Sequence, residues 1–319
     1  MAELPLVLAT NPIDPAGEAI LRPHARLVIA PDTASATLNS MAHAADGIIV
    51  RTPLPSDIVD HAPRLRGIVR HGAGLDMVPV AAATARRIPV ANVPGANAQA
   101  VAEYCFAAAF ELTRRLALAD QTLRGPGWGK ARSLSDGALE LGGKTLGIVG
   151  VGNIGRRVAR IGGAGFGMSV LGTSRRPQAL PEGVVPVTTE ELFARSDIVV
   201  LSCPLTDQTR GLVGRDLLRL AKPTAVLVNV SRGAVIDDQA LADALREGRL
   251  AGAALDVFTV QPLPPDHAFF SLRNILLTPH LAGLTKESMT LMSTVSAEEM
   301  VRILSGARPL NLVNPEIYA

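Results

Sequence analysis

Short, wholly apolar runs alternate along the chain with longer Ala- and Leu-rich stretches of helical spacing. Leu6-Val7-Leu8-Ala9 precedes a helical stretch near Pro15 to Leu21, and Arg26 to Ala30, Gly47 to Val50, Gly67 to Arg70 and Pro89 to Asn92 follow. A second series comprises Thr145 to Val149, Ser169 to Gly172, Asp197 to Leu201 and Ala225 to Asn229. Runs that are apolar at every position, rather than at every second one, predict strands buried on both faces. That pattern means parallel sheets covered by crossover helices. Ala98 to Leu118 reads as one long helix linking two domains, and Arg124-Gly125-Pro126-Gly127-Trp128-Gly129 as a loop too rich in Gly and Pro for a regular element.

Composition narrows the class. With 319 residues, and roughly 150 per domain, about two domains are expected. The chain is 48% apolar and 19% charged, with a mean hydropathy of +0.27, enough for a sizeable core. Aromatics make up only 3%, against 29 glycines and 23 prolines, so Val, Ile, Leu and Ala must build that core between many tight turns. A net charge of +2 gives no nucleic-acid footprint. The two cysteines, Cys105 and Cys203, form neither a disulfide framework nor a zinc pattern, which suits a reducing compartment, the cytoplasm. The opening MAELPLVLAT reads as a first strand and not as an export signal, and no apolar run approaches the ~18 residues of a spanning helix. No metal site is expected.

The strand Thr145–Val149 runs into Gly150-Val151-Gly152-Asn153-Ile154-Gly155, with a helical pattern after it. Glycines suit a tight turn whose backbone approaches a pyrophosphate, while the helix N-terminus offers N–H groups and positive dipole. A site preferring NAD would carry Asp or Glu about 20 residues further on. This chain has Thr173-Ser174-Arg175-Arg176 there. A small hydroxyl residue and two guanidiniums suit a 2′-phosphate, so NADP is preferred over NAD, with NAD possible.

The ordered series of motifs resembles the D-isomer-specific 2-hydroxyacid dehydrogenase family over nearly the whole chain. Arg70-His71-Gly72-Ala73-Gly74-Leu75-Asp76, Asn92 to Asn97, Leu141 to Gly150, Pro204-Leu205-Thr206, Asn229 to Gly233, Leu255 to Phe258 and Thr278-Pro279-His280 carry the resemblance. It implies an α/β fold of two doubly wound parallel-sheet domains. A Rossmann cofactor domain, residues 98–284, would be inserted into a flavodoxin-like substrate domain formed by 1–97 and 285–319, with the active site in the cleft between them. It further implies a homodimer through the cofactor domain.

The resemblance also implies roles. Gly150, Gly152, Asn153, Ile154, Gly155, Ser174, Arg175, Arg176, Pro204, Thr209, Val230, Asp256 and Gly283 would hold the cofactor. Arg232 would clamp a carboxylate and polarise a carbonyl, and His280 would serve as general acid. Ala73 and Gly74 would meet the substrate carboxylate through backbone N–H groups, and Asn97 would lie near the nicotinamide. Arg70 or His71 either reaches a second anionic group or is structural. One catalytic position departs from the family: Gln261 stands where Glu is usual. An amide bonds an imidazole without stabilising its positive charge, so reduction is expected to be favoured at lower pH. The first expectation is an oxidoreductase passing hydride between NADP(H) and a small 2-keto or 2-hydroxy acid. Gln261 also resembles the formate dehydrogenases of the superfamily, and a third possibility is a non-enzymatic, corepressor-like nucleotide-binding protein.

Overall fold

The computed structural model describes residues 3–319. Met1 and Ala2, at the start of the segment read as a first strand, lie outside the described residues. The chain divides into two compact units, one made of residues 1–97 and 284–319 and the other of residues 98–283.

The first unit holds β1 (Leu6–Ala9), α1 (Pro15–Leu21), β2 (Arg26–Ile29), α2 (Ser35–Ala42), β3 (Gly47–Val50), β4 (Gly67–Arg70), α3 (Val80–Ala85) and β5 (Val90–Ala91). Its five strands lie in the order β2-β1-β3-β4-β5, all parallel. This is a doubly wound order in which the winding reverses beside β1.

The second unit opens with α4 (Ala98–Arg114), α5 (Leu116–Arg124) and α6 (Trp128–Ser133). Then come β6 (Thr145–Val149), α7 (Asn153–Arg160), β7 (Ser169–Thr173), β8 (Val184–Pro186), α8 (Thr189–Arg195) and β9 (Ile198–Leu201). α9 (Arg215–Leu220), β10 (Val226–Asn229), α10 (Asp238–Arg246), β11 (Gly252–Leu255) and β12 (Ile275–Leu277) complete it. The sheet order β12-β11-β10-β9-β6-β7-β8 is the Rossmann order with one added strand. The chain then returns to the first unit as α11 (Lys286–Leu304), whose N-cap Thr285 accepts the Ser288 N–H.

Both sheets are covered on both faces, as the unbroken apolar runs require. Along β9, Val199 and Leu201 enter one core while Ile198 and Val200 enter the core on the opposite face. Along β1, Leu8 packs to one side and Val7 and Ala9 to the other, where Ala297, Met300 and Ile303 of α11 meet them. α4 lays Val101, Ala102, Cys105, Phe106 and Ala109 against the larger sheet.

Two elements differ from the sequence expectation. The long helix breaks at Arg115, whose φ of 52° is left-handed, so α4 and α5 are separate. Of the Gly/Pro-rich stretch, Arg124 ends α5, only Gly125 to Gly127 form a loop, with Gly127 at φ 92°, and from Trp128 the chain is helical again. Among the described residues, no helix is long and apolar enough to cross a membrane.

Candidate active site

At the carboxyl end of β6 the chain turns sharply at Gly150. Its φ is 93°, and a Cβ there would lie 2.6 Å from the Cys203 backbone. A side chain is therefore excluded both by conformation and by space. The N–H groups of Gly150 and Val151 bond back to the Thr173 carbonyl at 3.1 and 3.3 Å, bringing the turn beside the end of β7. The resulting groove, about 600 Å³, is lined by Gly150, Gly152, Asn153, Ser174, Arg175, Arg176, Pro204 and Thr209. Ile154 and Gly155 form the first turn of α7, with Ile154 packed on the core. Val230 is buried at the end of β10, and Gly283 is the last residue of the unit.

The groove floor carries N–H groups at the start of α7, donors that suit the phosphates of a dinucleotide. The Ser174 hydroxyl accepts the Arg176 N–H at 3.1 Å, folding the two-arginine turn toward the groove. Sequence reading missed Arg156, which also lines the groove and bonds the Ala179 carbonyl. Its place one residue after the last glycine was the available signal.

The other candidate centre assembles at the ends of β10, β11 and β12. Asn229, wholly buried, accepts the Ser231 N–H and hydroxyl at 3.0 and 2.6 Å and donates to the Arg232 carbonyl at 3.1 Å. These bonds shape the turn that presents Arg232, whose own Nη1 reaches the Ser231 carbonyl at 2.7 Å. Gly233 presses that turn against the next loop: a Cβ there would sit 1.9 Å from the Phe258 carbonyl carbon. The Arg232 turn and the loop leading to Gln261 are thus packed backbone to backbone. Gln261 then accepts from His280, with Nδ1 to Oε1 at 3.1 Å, while its Nε2 faces the Phe258 carbonyl at 3.4 Å. That second contact orients the amide so that its oxygen meets the ring, which places the Nδ1 proton on His280.

Asp256 is 2% exposed and lies beneath the His280 turn. Its carboxylate takes N–H groups from Leu281 and Ala282 at 2.8 and 2.9 Å and the Thr278 hydroxyl at 2.7 Å.

In the other unit, the Arg70 guanidinium donates to the carbonyls of Val50, His71 and Gly74 at 2.9, 2.6 and 3.2 Å, binding the Gly72–Gly74 loop to the strand ends. Asn92 holds the Ala73 carbonyl at 2.9 Å, and Asn97 directly precedes α4. His71 turns inward instead of toward a ligand. It is 3% exposed, and its Nε2 meets Ser293 Oγ at 2.8 Å. Ser293 Oγ also accepts the Asp14 N–H at 2.9 Å, which ties the histidine to the start of α1. Burial, aided by the positive charges of Arg51 and Arg70, pushes His71 down to about 4, leaving it neutral at pH 7. Of the two readings open for His71, the structure supports the structural one.

The family model for the NAD binding domain of D-isomer specific 2-hydroxyacid dehydrogenases matches residues 106–282. The chain belongs to this family. It is an NAD(P)-dependent 2-hydroxyacid dehydrogenase that uses a nicotinamide cofactor. This dehydrogenase is 41% identical to the glyoxylate reductase of Aeropyrum pernix over 293 residues, covering 88% of this chain and 86% of that one. A solved NADPH-dependent glyoxylate/hydroxypyruvate reductase from Sinorhizobium meliloti, in complex with NADP and malonate, superposes with a TM-score of 0.84 at 30% identity, covering 97% and 96% of the two chains. The NAD-dependent formate dehydrogenase of Staphylococcus aureus superposes at 0.85 with 26% identity, covering 97% and 99%.

Proposed function

We propose that this dehydrogenase reduces small 2-keto acids of the glyoxylate type with NADPH. Residues 98–283 serve as the cofactor domain, and residues 1–97 with 284–319 serve as the substrate domain. The observation that carries the proposal is the Arg232 turn, shaped by buried Asn229 and packed through Gly233 against the backbone of the loop that runs on toward the partner of His280. Glyoxylate is the substrate named for the Aeropyrum relative.

Bound NADPH would supply hydride to the keto carbon. Arg232 holds the substrate carboxylate and polarises the carbonyl, because a guanidinium offers parallel charged N–H donors. His280, its Nδ1–H committed to Gln261, gives the Nε2 proton to the oxygen on which negative charge develops. Ala73 and Gly74 meet the carboxylate through their N–H groups, and Asn97 lies on the nicotinamide side. Gly150, Gly152, Asn153, Ile154 and Gly155 hold the pyrophosphate, and Pro204, Thr209, Val230 and Gly283 frame the rest of the cofactor, whereas Asp256, expected beside them, is 2% exposed and spends its carboxylate on Thr278, Leu281 and Ala282. Ser174, Arg175 and Arg176 take the 2′-phosphate, which supports NADP over NAD.

The test is a panel of glyoxylate, hydroxypyruvate and pyruvate with NADPH and with NADH, run beside NAD(P)-linked formate oxidation. Keto acid turnover with a lower KM for NADPH than for NADH is expected. Formate turnover without keto acid turnover would establish the second reading instead. Gln261 favours that reading, since formate oxidation releases no proton through a histidine.

Gln261→Glu gives a separate prediction. A carboxylate in hydrogen-bond contact stabilises an imidazolium that the amide does not, and such a partner moves a titration by about 1–3 units. The reductive rate of the variant should therefore persist to pH values about one unit higher or more than in the wild type. Identical pH–rate profiles would show that His280 is not the titrating donor.

Leu116, Leu118, Leu123 and Trp128 stand exposed on α5 and α6, which supports a homodimer through the cofactor domain. Sedimentation velocity at twice the chain mass is the expected result, and the mass of one chain would contradict it. Two buried free thiols, Cys105 and Cys203, suit the cytoplasm, to be checked by fractionation.

A further inference from the structure

His280 occupies a backbone conformation that few side chains adopt, with φ 55°. A non-glycine residue stays in this region only where its surroundings over-determine it. The surroundings here form a chain of hydrogen bonds running from helix α4 into the turn. The Thr278 hydroxyl donates to Asp256 Oδ1 at 2.7 Å, so its oxygen is left to accept, and the Tyr104 hydroxyl meets it at 2.6 Å. Asp256 in turn receives the N–H groups of Leu281 and Ala282, the two residues after His280. The His280 N–H closes on the Thr278 carbonyl at 3.0 Å, and the Thr278 N–H on the Leu255 carbonyl at 3.0 Å. Residues 278 to 282 are therefore wound around one buried carboxylate, gripped two residues before the histidine and one and two residues after it.

We infer that Tyr104 and Thr278 are positioning residues for His280: they orient the Asp256 carboxylate, and that carboxylate imposes the left-handed turn which aims the imidazole. The inference rests on the reading of His280 as proton donor.

Each link has a reason. A carboxylate rotates about its terminal bond unless its oxygens are differentiated, and the Thr278 hydroxyl together with the Leu281 N–H marks Oδ1 for one side of the turn. A threonine hydroxyl can turn its proton toward other acceptors. A tyrosine hydroxyl donating to its oxygen leaves its own proton directed at Asp256. Burial, reinforced by the negative charge of Asp256, pushes the Tyr104 hydroxyl up to about 12, so it remains a donor throughout the working range. Tyr104 sits in the second turn of α4, packed on the core, which gives the network a rigid base. The effect on the reaction is geometric. A small misplacement of a reacting group is costly, on the order of 100-fold for 1 Å.

Thr278→Val keeps the shape and removes the hydroxyl, Tyr104→Phe removes the outer donor, and Thr278→Ser restores the hydroxyl without the methyl. For Thr278→Val we expect kcat for glyoxylate reduction to fall on the order of 10-fold, with the KM for NADPH within about twofold of wild type. Amide exchange at Leu281 and Ala282 should quicken by about 10-fold as their acceptor loses its orientation. Tyr104→Phe should move both quantities in the same direction and less far, and Thr278→Ser should return both toward wild type. Thr278→Val with wild-type kcat, or with unchanged exchange at Leu281 and Ala282, overturns the inference. If Thr278→Val does not fold, Tyr104→Phe decides by the same two readouts. If the wild-type enzyme reduces no 2-keto acid, the reading of the site fails instead. The exchange comparison, with the same expected and contrary results, then decides on its own whether the network holds the turn.

Discussion

His280→Asn is expected to lower kcat for glyoxylate reduction by about 10²–10⁴-fold, the usual range for loss of a positioned proton donor. Asparagine is the informative replacement because the backbone at this position has φ 55°. Asn tolerates the left-handed region better than other non-glycine residues, so the turn held by Asp256 can persist while the titrating ring is removed. Alanine would combine lost chemistry with added backbone strain. The affinity for NADPH, measured by quenching of its fluorescence, should change little, since the 600 Å³ groove at Gly150 and Arg175 does not include His280. A kcat within a factor of about three of wild type would remove His280 from the proton-donor role.

Arg232→Gln carries the second large effect. The turn beneath this arginine is built with unusual care for a surface loop. Asn229 is wholly buried and spends its side chain on residues 231 and 232, and Gly233 touches the Phe258 backbone where no Cβ would fit. Such support fixes where the guanidinium starts. Losing one preorganised donor to a developing oxyanion costs about 10²–10³ in rate, and loss of the carboxylate clamp adds to the KM. We therefore expect kcat/KM for glyoxylate to fall by at least about 10³, with both parameters changed. Arg232→Lys should recover part of the loss, because it restores charge without the two-pronged donor geometry. A variant whose KM rises while kcat stays at wild type would limit Arg232 to binding the ground state.

Much of this architecture was legible before folding was considered. Val7-Leu8, Ile198 to Leu201 and Val226 to Val228 are apolar at each position because both faces of each sheet are covered. The spacing of Gly150, Gly152 and Gly155 marked the tight turn between β6 and α7, since Gly150 takes a conformation that few residues can adopt. Strands β8, β11 and β12 were not legible. Gly252-Ala253-Ala254-Leu255 has the composition of a helix, and it becomes a strand because β10 and β12 pair with it on either side. Arg115 gives no local sign that it breaks a helix.

The site divides in the same way. Arg232, Gln261 and His280 stand in motifs, as do Thr278 and Asp256, whereas Tyr104, 174 residues from Thr278, joins the grip on His280 only in the folded chain. Hydrogen bonds between side chains that meet only in the folded chain leave no spacing to read. His71 shows the converse. Next to Arg70 at a strand end it was equally open to an anion or to a structural place, and packing turned it onto Ser293.

The most direct measurement is glycolate formed per NADPH consumed when glyoxylate is supplied to the wild-type enzyme and to His280→Asn. One glycolate is expected for each NADPH in the wild type, and in the variant a rate lower by about 10²–10⁴-fold at undiminished NADPH binding. Absence of glycolate from the wild type would rule out glyoxylate reduction, and its formation at equal rates by both proteins would rule out His280 as the proton donor.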